Sequence, residues 1–413
     1  MTTLTIDRLD HNGAGVALSQ DGKNTIIPGA LPGETLQLSD TAPIYLSRSP
    51  DRAEPPCPLF GDCGSCSAQH MSSELYATWK SNLVRDAFRD AGLSDIPLSA
   101  LLSAPLASRR RVTLTVANGK VGYHRKASHD LLDVSACLAL DPALARALPA
   151  IRAIAQNLSA DRPLRLTATL GENGVYLAAT RPPAPKPTRK SGPRRRRERA
   201  PRPAPPPDLS PAENIVRITL DGDVVLQREE PFVRLGGALV PFPPGAFLQA
   251  SQAGERFLTD AVLKPLSNAR TVADLFCGLG TFTLPLAKTA KVLAVESSAA
   301  PLAALASAAS RAKGRKHITT LRRDLMRDPM APTELAGHDG VVFDPPRAGA
   351  LAQAKALAKS HVPLLVAVSC NPQTLARDCA ILIDGGYKIT QVVPVDQFVA
   401  TAHIEVVATL RRE

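Results

Sequence analysis

Between residues 271 and 410, short aliphatic and β-branched runs alternate with longer stretches of helical periodicity, and no other feature restricts the fold as much. Strand candidates fall at 271–276, 291–295, 318–322, 340–343 and 364–369, followed by 389–393 and 404–410. Helical stretches such as 301–312 and 350–359 lie between them. Strands separated by helices pair in parallel, so the alternation predicts a doubly wound, Rossmann-like α/β domain whose ligands gather at the carboxyl ends of the strands.

Polar motifs stand at the ends of these strands. Asp274-Leu275-Phe276-Cys277-Gly278-Leu279-Gly280-Thr281 follows the first strand and opens a helix, and its glycines let a ligand approach the backbone there. The full G-x-G-x-x-G spacing is absent, but Glu296 ends the next strand about twenty residues on, where a carboxylate can accept both hydroxyls of a ribose. Asp344-Pro345-Pro346-Arg347 ends the fourth strand, and its prolines stiffen the turn that holds the acid at the ligand edge. Ser369-Cys370-Asn371-Pro372 ends the fifth and puts a thiol on the same rim. Next to a helix N-terminus that thiol is expected to have a lowered pKa and to serve as a nucleophile, whereas Cys277 and Cys379 read as buried cysteines. His403-Ile404-Glu405 opens the last strand, so His403 and Glu405 are expected to share a face. An unpaired acid at the start of a central strand is costly to bury, which points to a function for Glu405.

Upstream, residues 1–48 form short alternating apolar segments broken by glycines, the pattern of a small β-barrel that is either a packing module or an OB-like nucleic-acid binder. A central, mostly β segment spans 49–240, with a helix from Ser73 to Gly92 and strands at 109–116, 119–123, 164–170 and 174–179. Within it Cys57-x5-Cys63-x2-Cys66 and Cys137 make a four-thiolate set suited to a metal, and spacing alone leaves zinc and a [4Fe-4S] cluster both open. Residues 181–213 hold eleven prolines, the run 194–197 of four arginines and almost nothing apolar, so they read as a disordered insertion.

The net charge is +11, yet residues 181–213 carry ten Lys/Arg against three Asp/Glu, or +7, which leaves only +4 for the rest. Global basicity is therefore weak evidence for nucleic acid, and local sites have to carry the argument. Seven cysteines, an odd number, without an export signal speak against a disulfide framework. No stretch reaches the roughly 18 uncharged apolar residues needed to cross a bilayer. A cytoplasmic monomer with no membrane partner is the expectation.

Residues 13–16 and 28–34, the four cysteines, Gly245-Ala246-Phe247-Leu248-Gln249, and the motifs at 274–281, 344–349, 369–372 and 403–405 together resemble the RNA uracil-5 methyltransferase family. The likeness is to the branch with an N-terminal TRAM barrel and an iron–sulfur cluster that modifies 23S ribosomal RNA, and it covers nearly the whole chain outside 181–213. It implies a TRAM-like barrel at 1–48, an iron–sulfur and RNA-binding domain at 49–240 and an S-adenosylmethionine-dependent methyltransferase domain at 241–413. It further implies cofactor contacts at Gln249, Phe276, Thr281, Glu296, Asp324 and Asp344, with Cys370 as nucleophile and Glu405 as base. A [4Fe-4S] cluster on Cys57, Cys63, Cys66 and Cys137 and an RNA partner, 23S rRNA, complete the expectation. Ser251 and Thr281 stand where the family commonly has Asn, which alters polar contacts near the cofactor but removes no reacting group. Arg109, Arg110, Arg111, Arg125 and Lys126 are candidates for gripping the RNA backbone.

The implied residues suit the chemistry. Uracil C5 is too weak a nucleophile to take a methyl group from a sulfonium unaided; thiolate addition at C6 makes C5 enolate-like, and a base must later remove the C5 proton. The base has to leave its stack, or start unpaired, to reach the thiol. RNA cytosine-5 methylation also uses a thiolate, and a non-catalytic iron–sulfur RNA-binding protein is a third reading. Glu405 favours uracil over cytosine, and an intact Cys370 with Glu405 favours an enzyme.

Overall fold

The computed structural model describes residues 3–18, 22–39, 42–159, 162–182 and 214–412. The alternating C-terminal pattern folds into one eight-stranded sheet. Across it the strands run Ile318–Arg322, Lys291–Glu296, Thr271–Leu275, Gly340–Phe343, Leu364–Ser369, Glu405–Arg412, Tyr387–Asp396 and Leu102–Ser103. The first five pair in parallel, and Glu405–Arg412 runs antiparallel to both its neighbours. Gly340–Phe343 and Leu364–Ser369 are buried along their whole length, as aliphatic runs covered on both faces must be. The chain reverses direction across the sheet between Thr271–Leu275 and Gly340–Phe343, which opens a ligand crevice at their carboxyl ends.

Alternate residues of these strands feed two cores. Ala273, Leu275, Leu365 and Ala367 pack on one face with the helices Leu351–Ala358 and Pro372–Asp384, while Val272, Val366 and Val368 pack on the other with Gln252–Leu263. The helix Ser73–Asp90, capped by the Ser72 hydroxyl accepting from the Leu75 N–H at 3.1 Å, sends Val84 and Phe88 into the first of these cores. A helix of the central segment thus belongs physically to the C-terminal sheet.

The rest of the central segment is a seven-stranded sheet, from Leu131–Asp133 at one edge to Asp223–Gln227 at the other, with the helix Pro142–Leu158 packed against it. At the N-terminus two three-stranded sheets enclose Leu4, Ile6, Ala17, Ile27 and Leu36. The Pro/Arg-rich segment 181–213 lies outside the described residues except for Arg181, whose guanidinium pairs with Asp221 at 2.8 Å, and Pro182. Among the described residues no helix is long and apolar enough to cross a membrane.

Lys80 ties these parts together. Its side chain is 0% exposed, pairs with Asp396 at 2.9 Å and donates to the His403 carbonyl. Asp396 also accepts from the Tyr76 hydroxyl at 2.6 Å, and that hydroxyl accepts from the Ala400 N–H at 3.0 Å. Helix Ser73–Asp90 therefore pins the loop that leads into Glu405. Lys80→Met should leave Asp396 buried without its counter-charge and lower stability by about 3–5 kcal/mol in equilibrium urea unfolding. A loss below about 1 kcal/mol, the range of exposed pairs, would show that water reaches the pair.

Candidate active site

Cys370 stands where the Leu364–Ser369 strand stops, because Pro372 at the first helical position and Asn371 as cap start a helix at once. The Asn371 side chain accepts from the Gln373 N–H at 3.1 Å and donates to the Arg347 carbonyl at 3.2 Å, tying the thiol loop to the turn at 344–347. On the neighbouring strand Val406 pairs with Ser369, so Cys370 follows and Glu405 precedes the last pair of this ladder, and the Glu405 charge acts on the thiol. Cys370, Arg347 and His403 line a pocket that also meets His11 and Asn12 of the N-terminal sheets. His403 itself precedes the strand, which begins at Glu405, so the shared face expected for the two does not form. Arg347 instead donates to His403 Nδ1 at 3.1 Å.

Burial governs the electrostatics. It pushes the Glu405 carboxyl up to about 8, helped by the charge of Asp344 and opposed by a hydrogen bond from Gln397 and by the charges of Arg347 and Lys80. The Cys370 thiol is also pushed up, first by burial and then by Glu405 and Asp344, with Arg347 opposing. That reverses the lowered thiol pKa expected from its place at a helix N-terminus: two nearby acids and burial outweigh the helix. Burial alone lifts Asp344 to about 7, and it lifts Asp274 to about 7 against a hydrogen bond from Thr283.

Of the predicted cofactor residues, Phe276, Glu296, Asp324 and Asp344 stand at or just past the carboxyl ends of parallel strands. Glu296 accepts the Gly278 N–H at 3.1 Å and the Ser298 N–H at 2.7 Å, which fixes its carboxylate beside the glycine loop. Phe276 adopts a φ of 62°, a left-handed turn costly for an aromatic residue and of the kind that collects at functional sites. Gln249 is buried, Thr281 half-buried, and Asp324 exposed just past the Ile318–Arg322 strand. Asp274 Oδ1 is buried with no hydrogen-bond partner among the described residues, at the end of the strand next to that of Asp344. An orphaned carboxylate oxygen and a second acid lifted by burial alone are what a cationic ligand would satisfy, so these residues fit S-adenosylmethionine, which carries an ammonium and a sulfonium. Ser251, at a position where Asn was expected, is fully buried and caps the Gln252–Leu263 helix, its hydroxyl accepting the Gly254 N–H at 3.0 Å.

Two side chains depart from what sequence suggested. Arg110, a candidate for gripping RNA, is only 5% exposed; it pairs with Glu255 and donates from Nε to the Gln249 carbonyl at 2.9 Å. Its charge is spent holding the cofactor-side loop. Gln397, which no motif singled out, donates to both Gln249 and Glu405. Its one sequence signal is a polar residue directly after a long buried strand.

Cys57, Cys63, Cys66 and Cys137 line one cavity with Tyr123 and Gln69. The loop reaches it because residue 64 is glycine: a Cβ there would lie 2.9 Å from the His124 carbonyl oxygen. Burial pushes the Cys66 thiol up. Among the described residues no group of three or more His, Cys, Asp or Glu side chains is arranged to hold a metal ion as the thiols stand, although four sulfur donors on one half-buried cavity fit a thiolate-ligated centre in their chemistry.

Residues 241–413 match the tRNA (Uracil-5-)-methyltransferase family. An uncharacterized RNA methyltransferase of Brucella suis is 39% identical over 99% of this chain and 97% of its own length, and one of Rhizobium meliloti 40% identical over 99% of each. The 23S rRNA (uracil(1939)-C(5))-methyltransferase RlmD of Chromohalobacter salexigens is 34% identical over 99% of this chain and 89% of its own. The crystal structure of Pyrococcus abyssi tRNA (uracil-54, C5)-methyltransferase with S-adenosyl-L-homocysteine shares the fold, with a TM-score of 0.71 at 20% identity over 99% of this chain and 100% of that one. With a sheet that ends in a buried acid cluster and a thiol, and with relatives alike over nearly their full length, the chain belongs to the S-adenosylmethionine-dependent RNA uracil-5 methyltransferases.

Proposed function

We propose that this enzyme methylates C5 of a uridine in 23S ribosomal RNA through a covalent adduct on Cys370, with Glu405 as base. The observation that supports the reading is that Cys370 and the buried Glu405 flank the Ser369–Val406 pair of two adjoining strands, with the Glu405 charge acting on the thiol. Ribosomal RNA is favoured over tRNA by the Chromohalobacter relative, which matches along nearly its whole length. Gln249, Phe276, Thr281, Glu296, Asp324 and Asp344 would hold S-adenosylmethionine, with Asp274 facing its positive charge. When bound, that cofactor supplies an electrophilic methyl group.

The Cys370 thiolate, favoured by the Arg347 guanidinium, adds to C6 of the unstacked base, and the electron pair displaced from the C5–C6 bond makes C5 nucleophilic. After C5 has been methylated, Glu405 takes the C5 proton; the C5–C6 double bond re-forms and the C6–sulfur bond breaks, returning the thiolate. A positive charge placed beside Asp344 would favour the ionised forms of both Cys370 and Glu405, since Asp344 holds both up. The N-terminal sheets, read as a TRAM-like barrel, would contact RNA next to the pocket they help to line. A [4Fe-4S] cluster on Cys57, Cys63, Cys66 and Cys137 would hold the central segment together.

Cys370→Ala should abolish both turnover and covalent RNA adducts, whereas Glu405→Gln should permit methyl transfer and stall as a denaturation-resistant, methylated protein–RNA conjugate. Labelled 23S RNA on denaturing gels reads both; adducts from Cys370→Ala, or product released at the normal rate by Glu405→Gln, would overturn the assigned roles. Loss of 5-methyluridine from tRNA rather than 23S rRNA in cells lacking the enzyme would move the substrate.

A raised carboxyl pKa means that the folded chain keeps a proton the unfolded chain has released. Asp274, Asp344 and Glu405 therefore favour the fold fully below the ordinary carboxylate range, and that contribution is lost as pH rises through about 7 to 8. The melting temperature of the cofactor-free enzyme should fall across this window, S-adenosylmethionine should stabilise more at its upper end, and Asp344→Asn should flatten the slope. An unchanged slope in Asp344→Asn would remove that acid from the explanation. Protein purified without oxygen should be brown, with about four irons per chain by metal analysis; stoichiometric zinc without visible absorption would reject the cluster.

A further inference from the structure

Gln397 lies in the loop between Tyr387–Asp396 and Glu405–Arg412 and is 1% exposed. Its amide is held from three sides. Oε1 accepts the Ala250 N–H at 2.9 Å, while Nε2 lies 2.6 Å from Gln249 Oε1 and 3.0 Å from Glu405 Oε1. A backbone N–H can only donate, so the Ala250 contact fixes which end of the Gln397 amide is oxygen and turns its NH2 toward the other two groups. That NH2 has two hydrogens and meets two acceptors. Gln249 must in turn present its carbonyl oxygen to Gln397, which leaves its own NH2 to donate elsewhere. Glycine at 254 makes room for the arrangement, because a Cβ there would sit 2.4 Å from Gln397 Cβ.

We infer that Gln397 is a positioning residue that registers the base Glu405 against the cofactor-side amide of Gln249, one buried NH2 aiming both. The inference rests on reading Glu405 as the base. With Oε1 occupied by the Gln397 donor, the C5 proton is directed to Oε2. The same donor favours the ionised carboxylate, as do Arg347 and Lys80, while Asp344 and the buried surroundings oppose it and Cys370 faces it across the strand pair. Substituting Gln397 changes one of these influences and leaves the others in place.

Gln397→Met keeps the length and removes the donor. The variant should bind S-adenosylmethionine roughly tenfold more weakly in calorimetry, because Gln249 loses its partner. It should also release product roughly tenfold to a hundredfold more slowly, with methylated adduct accumulating, and the rising limb of its pH–rate profile should move to higher pH. Gln397→Glu keeps polarity and volume if the methionine variant folds poorly; a carboxyl donates only when protonated, so its cofactor affinity relative to the wild type should rise as pH falls. Wild-type affinity and an unmoved pH limb in Gln397→Met, or an affinity with the wild-type pH dependence in Gln397→Glu, would overturn the inference while adduct trapping by Glu405→Gln still upholds the base. Normal product release by Glu405→Gln would instead overturn the base assignment and this inference with it.

Discussion

Three carboxyl groups stand at the carboxyl edge of one sheet, Asp274 and Glu405 buried and Asp344 half-buried, and each holds its proton above the usual carboxylate range. Asp274 and Asp344 end adjacent strands at the point where the sheet reverses, and one oxygen of Asp274 has no partner among the described residues. At an effective dielectric of about 20, like charges a few ångströms apart repel by several kcal/mol. Ionising one acid of the cluster therefore opposes ionising the next, and a positive charge that entered it would ease both. The Cys370 thiol is held up by burial and by two of these acids, Glu405 and Asp344, and among the described residues no guanidinium or ammonium reaches Asp274 Oδ1.

The loop between Asp396 and Glu405 has to stay in register for the acid at its end to face the thiol, and the N-terminal half of the chain supplies most of its grip. Tyr76 and Lys80 hold Asp396 and the backbone at Ala400 and His403. The Ser67 and Ala68 N–H groups both donate to the Ala400 carbonyl, at 2.8 and 3.2 Å, and Ala400 sits at a φ of 65°, a conformation an alanine adopts only when its surroundings impose it. Arg109 lies over the Phe398 ring at 5.8 Å. Ser67 directly follows Cys66, so the cysteine loop and the base loop share a backbone contact. Disordering the cysteine loop would remove one of the contacts that hold the loop leading into Glu405.

The parts of the candidate site that end strands are legible in the sequence. Cys370, Asp344 and Glu296 are read from the place where an aliphatic run meets a turn, a local property. The sheet itself was legible for the same reason, since its strands are continuous hydrophobic runs and its helices keep their period. Gln397 was not, because its meaning comes from Gln249, 148 residues away. Lys80 carried a signal that went unread: it falls on the helical stripe of Tyr76, Val84 and Phe88, where a charge needs a buried partner, but the partner Asp396 lies beyond the reach of periodicity. The upward shift of the Cys370 thiol is hidden from the sequence for a related reason. A helix N-terminus is visible locally, whereas the two acids that outweigh it come from other strands.

A base that removes the C5 proton must be ionised when it acts and basic enough to act, and these demands conflict in an acid of ordinary strength. A carboxyl at about 4.5 would be ionised throughout but a poor proton acceptor; one buried without help would hold its proton and never accept another. Glu405 lies between these limits because burial and Asp344 raise it while Gln397, Arg347 and Lys80 restrain the rise. Asp344 is also the neighbour whose charge a bound cation would offset. A cation bound there would ease the ionisation of Cys370 and Glu405 together, since Asp344 holds both up.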